Sequence, residues 1–267
     1  MLIPRNRSSD GQGASAYLWP DPGLIAKLVR ERLVIIPTYN ERENIQEMLA
    51  HVTRLEPAFD VLVVDDGSPD GTADLVRSAQ VAQPDRIHLL QRTGKLGLGT
   101  AYIAGFRWAL DREYRYIFEM DADFSHDPDD LVRLYDACSV PGVGMTVGSR
   151  YVKGGGVSDW SWDRVLLSYC ASLYVRAILF LGVRDTTAGF VCYRRETLAA
   201  LPLDEVRFIG YAFQVEMKYR VHLHGFRILE VPIIFKDRRK GQSKMNANIF
   251  REAFMGVLRM RANIRRA

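Results

Sequence analysis

The sequence predicts an α/β protein with a mostly parallel, doubly wound central sheet. Short apolar runs at 33–36 and 61–64 each end in polar loops, as buried parallel strands do. Between them, residues 41–55 carry Ile45, Met48, Leu49 and Val52 at helical spacing, which makes a β-α-β unit. The same alternation repeats along the chain, the pattern of a sheet covered by helices on both faces.

The first strand, 33–36, is closed by Pro37 and the second, 61–64, by Asp65-Asp66-Gly67. A helix follows at 74–80, a strand at 87–90, a helix at 100–110 and a strand at 116–120. Asp127 reads as the cap of the next helix, with Pro128 at its first position. Beyond 145 the pattern is less regular, with strands expected at 145–148, 190–193 and 228–234 and helices at 164–181 and 211–224. The stretch 164–182 is apolar nearly all round, but Arg164 and Arg176 break it well short of the roughly 20 residues a membrane span needs. It reads either as a buried core helix or as a helix lying in a membrane interface. Residues 246–267 read as a basic amphipathic helix, with Ile249, Phe250, Phe254, Val257, Leu258 and Ile264 set among Arg251, Arg259, Arg261, Arg265 and Arg266. Its apolar side either enters lipid headgroups or packs on the rest of the chain. Residues 1–27, punctuated by Gly, Ser, Asp and Pro, read as a mobile tail, which leaves 28–245 as one catalytic domain.

With 267 residues, 48% of them hydrophobic, the chain has material for a large core. A net charge of +4 and a pI near 9.0 favour anionic partners, without separating a phosphate-rich ligand from an anionic membrane. There is no interleaved aromatic and basic motif of the kind that binds nucleic acid, so none is expected as a partner. Cys138, Cys170 and Cys192 are widely spaced and form no CxxC pair, which argues against a disulfide framework or a zinc site and for a reducing compartment. No apolar core follows the N-terminal charges, so neither a signal peptide nor an anchor is expected there.

Ligands of doubly wound sheets bind at the carboxyl ends of the strands. Three such ends carry unusual polar loops: Pro37-Thr38-Tyr39-Asn40-Glu41, Asp65-Asp66-Gly67-Ser68 and Asp121-Ala122-Asp123. A D-x-D just past a strand presents carboxylate oxygens to a hard divalent cation that also grips a diphosphate, although paired acids in loops are commonly solvated or capping. His126 reads as a surface neighbour of that motif.

The ordered series PTYNE at 37–41, VVDDGSPDGT at 63–72, GKLGLGTAYIAGF at 94–106 and EMDADFSHDP at 119–128 resembles the family 2 inverting glycosyltransferases of the GT-A fold. With GSRY at 148–151, WSWDRVLLS at 160–168, DTTAGF at 185–190, YAFQVEM at 211–217 and DRRKGQSK at 237–244, the chain is similar to the dolichol-phosphate or polyprenol-phosphate mannose synthase group over 33–245. The resemblance implies a GT-A fold, the Rossmann-like architecture of nucleotide-diphospho-sugar transferases. It also implies transfer of mannose from GDP-mannose to polyprenyl monophosphate. The enzyme is then expected as a cytoplasmic protein, peripheral at an anionic membrane surface, with a separate membrane-anchoring protein as a further partner.

By the same resemblance Pro37, Tyr39 and Glu41 border the nucleotide, Asp65 contacts its base or ribose, and Val63, Lys95 and Ala122 complete the donor site. Asp121 and Asp123 are expected to hold Mg²⁺ or Mn²⁺, with Ser125 as a weaker third ligand where some relatives carry Gln. Arg150, Arg164 and Ser168 fall at positions around the acceptor phosphate, and Arg238 at the donor diphosphate. Asp121, Asp123, Arg150 and Arg238 make up the implied catalytic set. Guanidinium suits such places because its planar fork binds phosphate oxygens in pairs and keeps its charge. A phosphate monoester has a second pKa of about 6, so its oxygen is mostly ionised near neutral pH and needs no general base. Displacement in one step inverts the anomeric centre.

Two other readings use the same residues: a transferase for UDP-glucose or UDP-N-acetylglucosamine with the same acceptor, and a nucleotide-sugar-binding scaffold without turnover. A dinucleotide-binding loop is argued against at 97–105, where Tyr102 stands in the third glycine position. A haloacid-dehalogenase-like phosphatase is argued against by the adjacent acids Asp65 and Asp66, where D-x-D is required.

Overall fold

The computed structural model describes residues 30–210, 212–237 and 247–264. The tail expected at 1–27 and Arg238 lie outside the described residues.

Seven strands form the main sheet: β1 (Arg32–Thr38), β2 (Asp60–Asp65), β3 (Ile87–Gln91), β4 (Tyr116–Glu119), β5 (Val143–Ser149), β7 (Val191–Arg194) and β8 (Arg227–Pro232). Their order is β3-β2-β1-β4-β7-β5-β8, and every pairing is parallel except the two made by β7. A small parallel pair, β6 (Gly156–Val157) with β9 (Ile234–Phe235), stands apart from it. The helices are α1 (Ile45–Val52), α2 (Thr72–Ala82), α3 (Leu98–Asp111), α4 (Asp130–Ser139), α5 (Trp162–Leu179), α6 (Arg195–Ala200), α7 (Ala212–Leu223) and α8 (Ala247–Asn263).

Strand side chains alternate between the two faces, so one strand feeds two cores. Val34, Ile36, Val61 and Val63 pack with Ile45, Met48 and Leu49 of α1 and with Leu131 and Leu134 of α4. Leu33, Ile35, Leu62 and Val64 pack with Ala101 and Phe106 of α3 and with Phe213 and Met217 of α7. Gly105 lets α3 lie directly on β1: a Cβ there would stand 2.7 Å from the Ile35 side chain. The glycines of 97–105 thus include one whose work is helix-sheet packing, not phosphate binding.

A third cluster joins three helices through Val175 and Leu179 of α5, Val215 and Tyr219 of α7, and Val257 and Met260 of α8. Of the two alternatives for α8, Val257 and Met260 follow the second, packing on the rest of the chain. Helix α5 is not the buried core helix of the first alternative. Apart from Ser172, Val175 and Leu179 its residues are not buried, and Leu166, Leu167 and Leu173 are 52%, 51% and 50% exposed. Among the described residues no helix is long and apolar enough to cross a membrane.

Candidate active site

The ends of β1, β2 and β4 bring the three polar loops to one edge of the sheet, where Thr38 pairs with Asp65 in register. The Asp65 carboxylate is wholly buried. It accepts from the Thr38 hydroxyl at 2.9 Å, the Ser68 amide at 3.0 Å and the Ser68 hydroxyl at 2.5 Å. Its neighbour Asp66 is held by Arg92, with Nε at 2.6 Å. In this structure Asp65 therefore ties two loops together. Lys95 Nζ stands 4.8 Å from the centre of the Tyr39 ring, so cation and aromatic face come to the same place, near Pro37 and Glu41. The Val63 side chain sits in the core and its backbone is paired on both sides, with Ile36 and Leu89. Nothing of its side chain reaches the surface where a donor would lie.

The D-x-D loop is bent by Phe124, which takes a left-handed φ of 60°. That conformation costs a non-glycine residue roughly 1–2 kcal/mol. The bend folds Ser125 back so that its amide (3.1 Å) and hydroxyl (2.6 Å) both donate to Asp123 Oδ1. Asp123 is 6% exposed, Ala122 lies buried between the two acids, and Asp121 lines the same cleft as Asp123. His126 is not a surface residue. It is 3% exposed, stacked on Phe190 at 4.9 Å and met edge-on by Phe235 at 5.2 Å. Burial pulls its pKa down to about 4, so the ring is neutral at physiological pH.

The cleft holds about 130 Å³, and its lining includes Asp121, Asp123, Arg150, Trp160 and Arg164. Arg150 is fixed by Asp185, which accepts from its Nε and Nη2 at 2.7 Å each and from its backbone amide at 2.9 Å. Burial by itself would lift the Asp185 pKa, but the bonds and charge of Arg150 outweigh it and hold the carboxyl below its usual range. Thr187 accepts a further bond from Nη2 at 2.9 Å. Three of the five guanidinium N–H groups are thereby committed within the protein. Arg164 stacks on Trp160, 3.9 Å from the ring centre, and its Nη1 donates to Asp237 at 3.2 Å. Ser168 is one turn further along α5, so i,i+4 spacing puts it on the Arg164 face.

Under the cleft floor lies a dry polar cluster. Glu119, at the end of β4, accepts from Tyr193 at 2.9 Å and from the Gln214 amide. Lys218 donates to the carbonyls of Ala188 (2.6 Å) and Gln214 (3.2 Å). Burial pushes Glu119 up to about 7 and pulls Lys218 down to about 8. These bonds fasten the 187–189 segment and α7 to the D-x-D strand. Asp185, Glu119, Trp160 and Gln214 carry no role in the sequence reading; their only signal is that they stand in or beside the ordered motifs DTTAGF, EMDADF, WSWDRVLLS and YAFQVEM.

Residues 33–201 match the family described as "Glycosyl transferase family 2". The chain is 46% identical over 257 residues to the polyprenol monophosphomannose synthase of Mycolicibacterium smegmatis, covering 96% of this chain and 94% of that one. It is 48% identical over 227 residues to the undecaprenyl-phosphate mannosyltransferase of Micrococcus luteus, covering 85% and 92%. Among solved structures it resembles M. tuberculosis glucosyl-3-phosphoglycerate synthase, with a TM-score of 0.60, 17% identity, and coverage of 90% of this chain and 83% of that one. A mannosyltransferase from Pyrobaculum calidifontis, solved with GDP-Man and Mn²⁺, gives a TM-score of 0.54 at 21% identity, covering 84% and 60%. At such identities these two structures bear on the fold alone, which is GT-A, as expected.

Proposed function

The chain belongs to glycosyl transferase family 2, and from that membership we propose that it transfers mannose from GDP-mannose to a polyprenyl monophosphate with inversion. The observation that carries this reading is the cleft itself, whose lining brings two acids and two arginines together. Such a cleft accepts a metal-bound diphosphate on one side and a second phosphate on the other.

The donor set fits a hard cation that keeps part of its coordination for diphosphate oxygens, because Asp121 and Asp123 line one cleft. Mg²⁺ or Mn²⁺, when bound there, neutralises charge on the departing diphosphate. Ser125 serves this site through Asp123, whose Oδ1 it occupies, which revises its role from ligand to support. Tyr39 and Lys95 take the nucleotide base and phosphates, with Pro37 and Glu41 at the rim. Arg164 and Ser168 hold the acceptor phosphate, Arg150 closes the space between acceptor and donor, and Arg238 serves the diphosphate. The ionised acceptor oxygen is itself the nucleophile, so the protein's work is to hold it in line and to exclude water.

A thermal-shift panel tests the donor. With Mn²⁺, GDP and GDP-mannose at about 100 times Kd are expected to raise Tm by roughly 5–10 °C, whereas UDP and UDP-glucose leave it unchanged. A shift with UDP alone overturns the choice of donor.

The acceptor is insoluble in water, so the site must meet a bilayer, and α5, which carries Arg164 and Ser168 on one side, exposes Leu166, Tyr169 and Leu173 on the other. We assign peripheral contact with the cytoplasmic membrane face to α5, with Leu258 and Met255 of α8 beside it. Leu166→Glu with Leu173→Glu is expected to abolish flotation with anionic vesicles, and added salt to weaken flotation of the parent. Undiminished flotation of the double variant rejects α5 as the contact. Removing α8 is the poorer test, because it uncovers Val175 and Leu179.

A further inference from the structure

We propose that Trp160 is a third donor to the acceptor phosphate, its indole N–H binding one phosphate oxygen between Arg150 and Arg164. This rests on reading the cleft as the site of a phosphomonoester acceptor. Trp160 Nε1 is buried and has no partner among the described residues, although the ring lines the cleft. A buried indole N–H ordinarily finds an acceptor. On the cleft side the group that answers is an anionic oxygen, since two guanidinium groups already flank the ring, their carbons 3.9 Å (Arg164) and 5.5 Å (Arg150) from its centre.

The ring is built into place. Asp159 takes a left-handed φ of 63° just before it, the Ser158 amide donates to the Phe235 carbonyl at 2.8 Å, and Phe235 meets the indole edge-on at 5.3 Å. The donor supply around it is short. Arg150 spends Nε and Nη2 on Asp185 and Thr187, and Arg164 spends Nη1 on Asp237. A neutral N–H adds a donor without adding a third cation to this pair. A phosphate monoester has three free oxygens, of which one must be left unencumbered to attack carbon. A fixed indole and two arginines can hold the other two and leave that one facing the donor.

The test compares the full-length parent with Trp160→Phe, which keeps an aromatic face for the arginines and lacks the N–H. Calorimetric titration with a short-chain, water-soluble isoprenyl phosphate is expected to show Kd raised about tenfold, the effect of losing a hydrogen bond to a charged group. The Kd for GDP with Mn²⁺ should stay within twofold. In the parent, the Trp160 indole proton resonance, identified by its absence in the variant, should move downfield on adding the isoprenyl phosphate. The shift is read on the parent, and the resonances of the other three tryptophans, unmoved in the variant, show that the variant is folded. An unchanged resonance, or an unchanged isoprenyl phosphate Kd in the variant, overturns the proposal. A loss confined to GDP overturns it too and gives the N–H to the donor diphosphate. If the parent binds GDP and not the isoprenyl phosphate, the reading of the acceptor fails and the proposal falls with it, a result visible before any variant is made.

Discussion

Asp123→Asn is expected to lower turnover about a thousandfold at saturating donor, the equivalent of the several kcal/mol a Lewis acid contributes to a departing diphosphate. Asparagine is the informative replacement because Asp123 is a nearly buried group whose Oδ1 accepts two bonds from Ser125. The amide oxygen keeps those bonds while the charge is lost, so Tm should move by less than about 2 °C. Asp123→Ala should lose activity equally and also leave the Ser125 donors unpaired, at about 1–3 kcal/mol. Steady-state rates across a Mn²⁺ series, with melting curves, check both. Turnover within tenfold of the parent in saturating Mn²⁺ removes Asp123 from the metal site.

Arg150→Lys is expected to lower transfer about a hundredfold although the charge is kept. The physical reason lies behind the cleft as much as in it. Two guanidinium nitrogens grip Asp185 and one of them reaches Thr187, a fork that a lysine cannot reproduce. Loss of charge-assisted bonds in so buried a pair should lower stability by about 1.5–3 kcal/mol. Acceptor KM separates the two duties. A rise in KM beyond the fall in stability places Arg150 on the acceptor phosphate. A lowered Tm with unchanged kinetics makes it a purely structural partner of Asp185.

The first half of the sheet is legible in the sequence because β1 and β2 are covered on both faces and so read as unbroken apolar runs ending in polar loops. The elements missed are those with no room for a period: β6 and β9 have two residues each and α6 has six. Helix α7 is buried nearly all round, including Gln214, Glu216, Lys218 and Arg220, so its charges mark interior bonds and not a solvated face. The D-x-D could be read locally, since both acids lie in one loop. The partners that give the site its rigidity could not. Arg150 and Asp185 are 35 residues apart, and His126 is enclosed by Phe190, just before β7, and by Phe235 of β9. Val63 is assigned to the donor by its position in a motif, and its burial becomes visible only once the strand is covered by helices on both faces.

The strand β7, antiparallel and seated between β4 and β5, ties the order of synthesis to the order of assembly. On the ribosome, β4 emerges after its partner β1, but the strand that covers its other edge does not exist until Val191–Arg194 have been made. An open edge is a row of unpaired amides and carbonyls, ready to recruit a strand from another chain. A nascent chain halted before residue 191 lacks the strand that covers the outer edge of β4, the strand that carries the D-x-D loop, and leaves that edge as a template for aggregation.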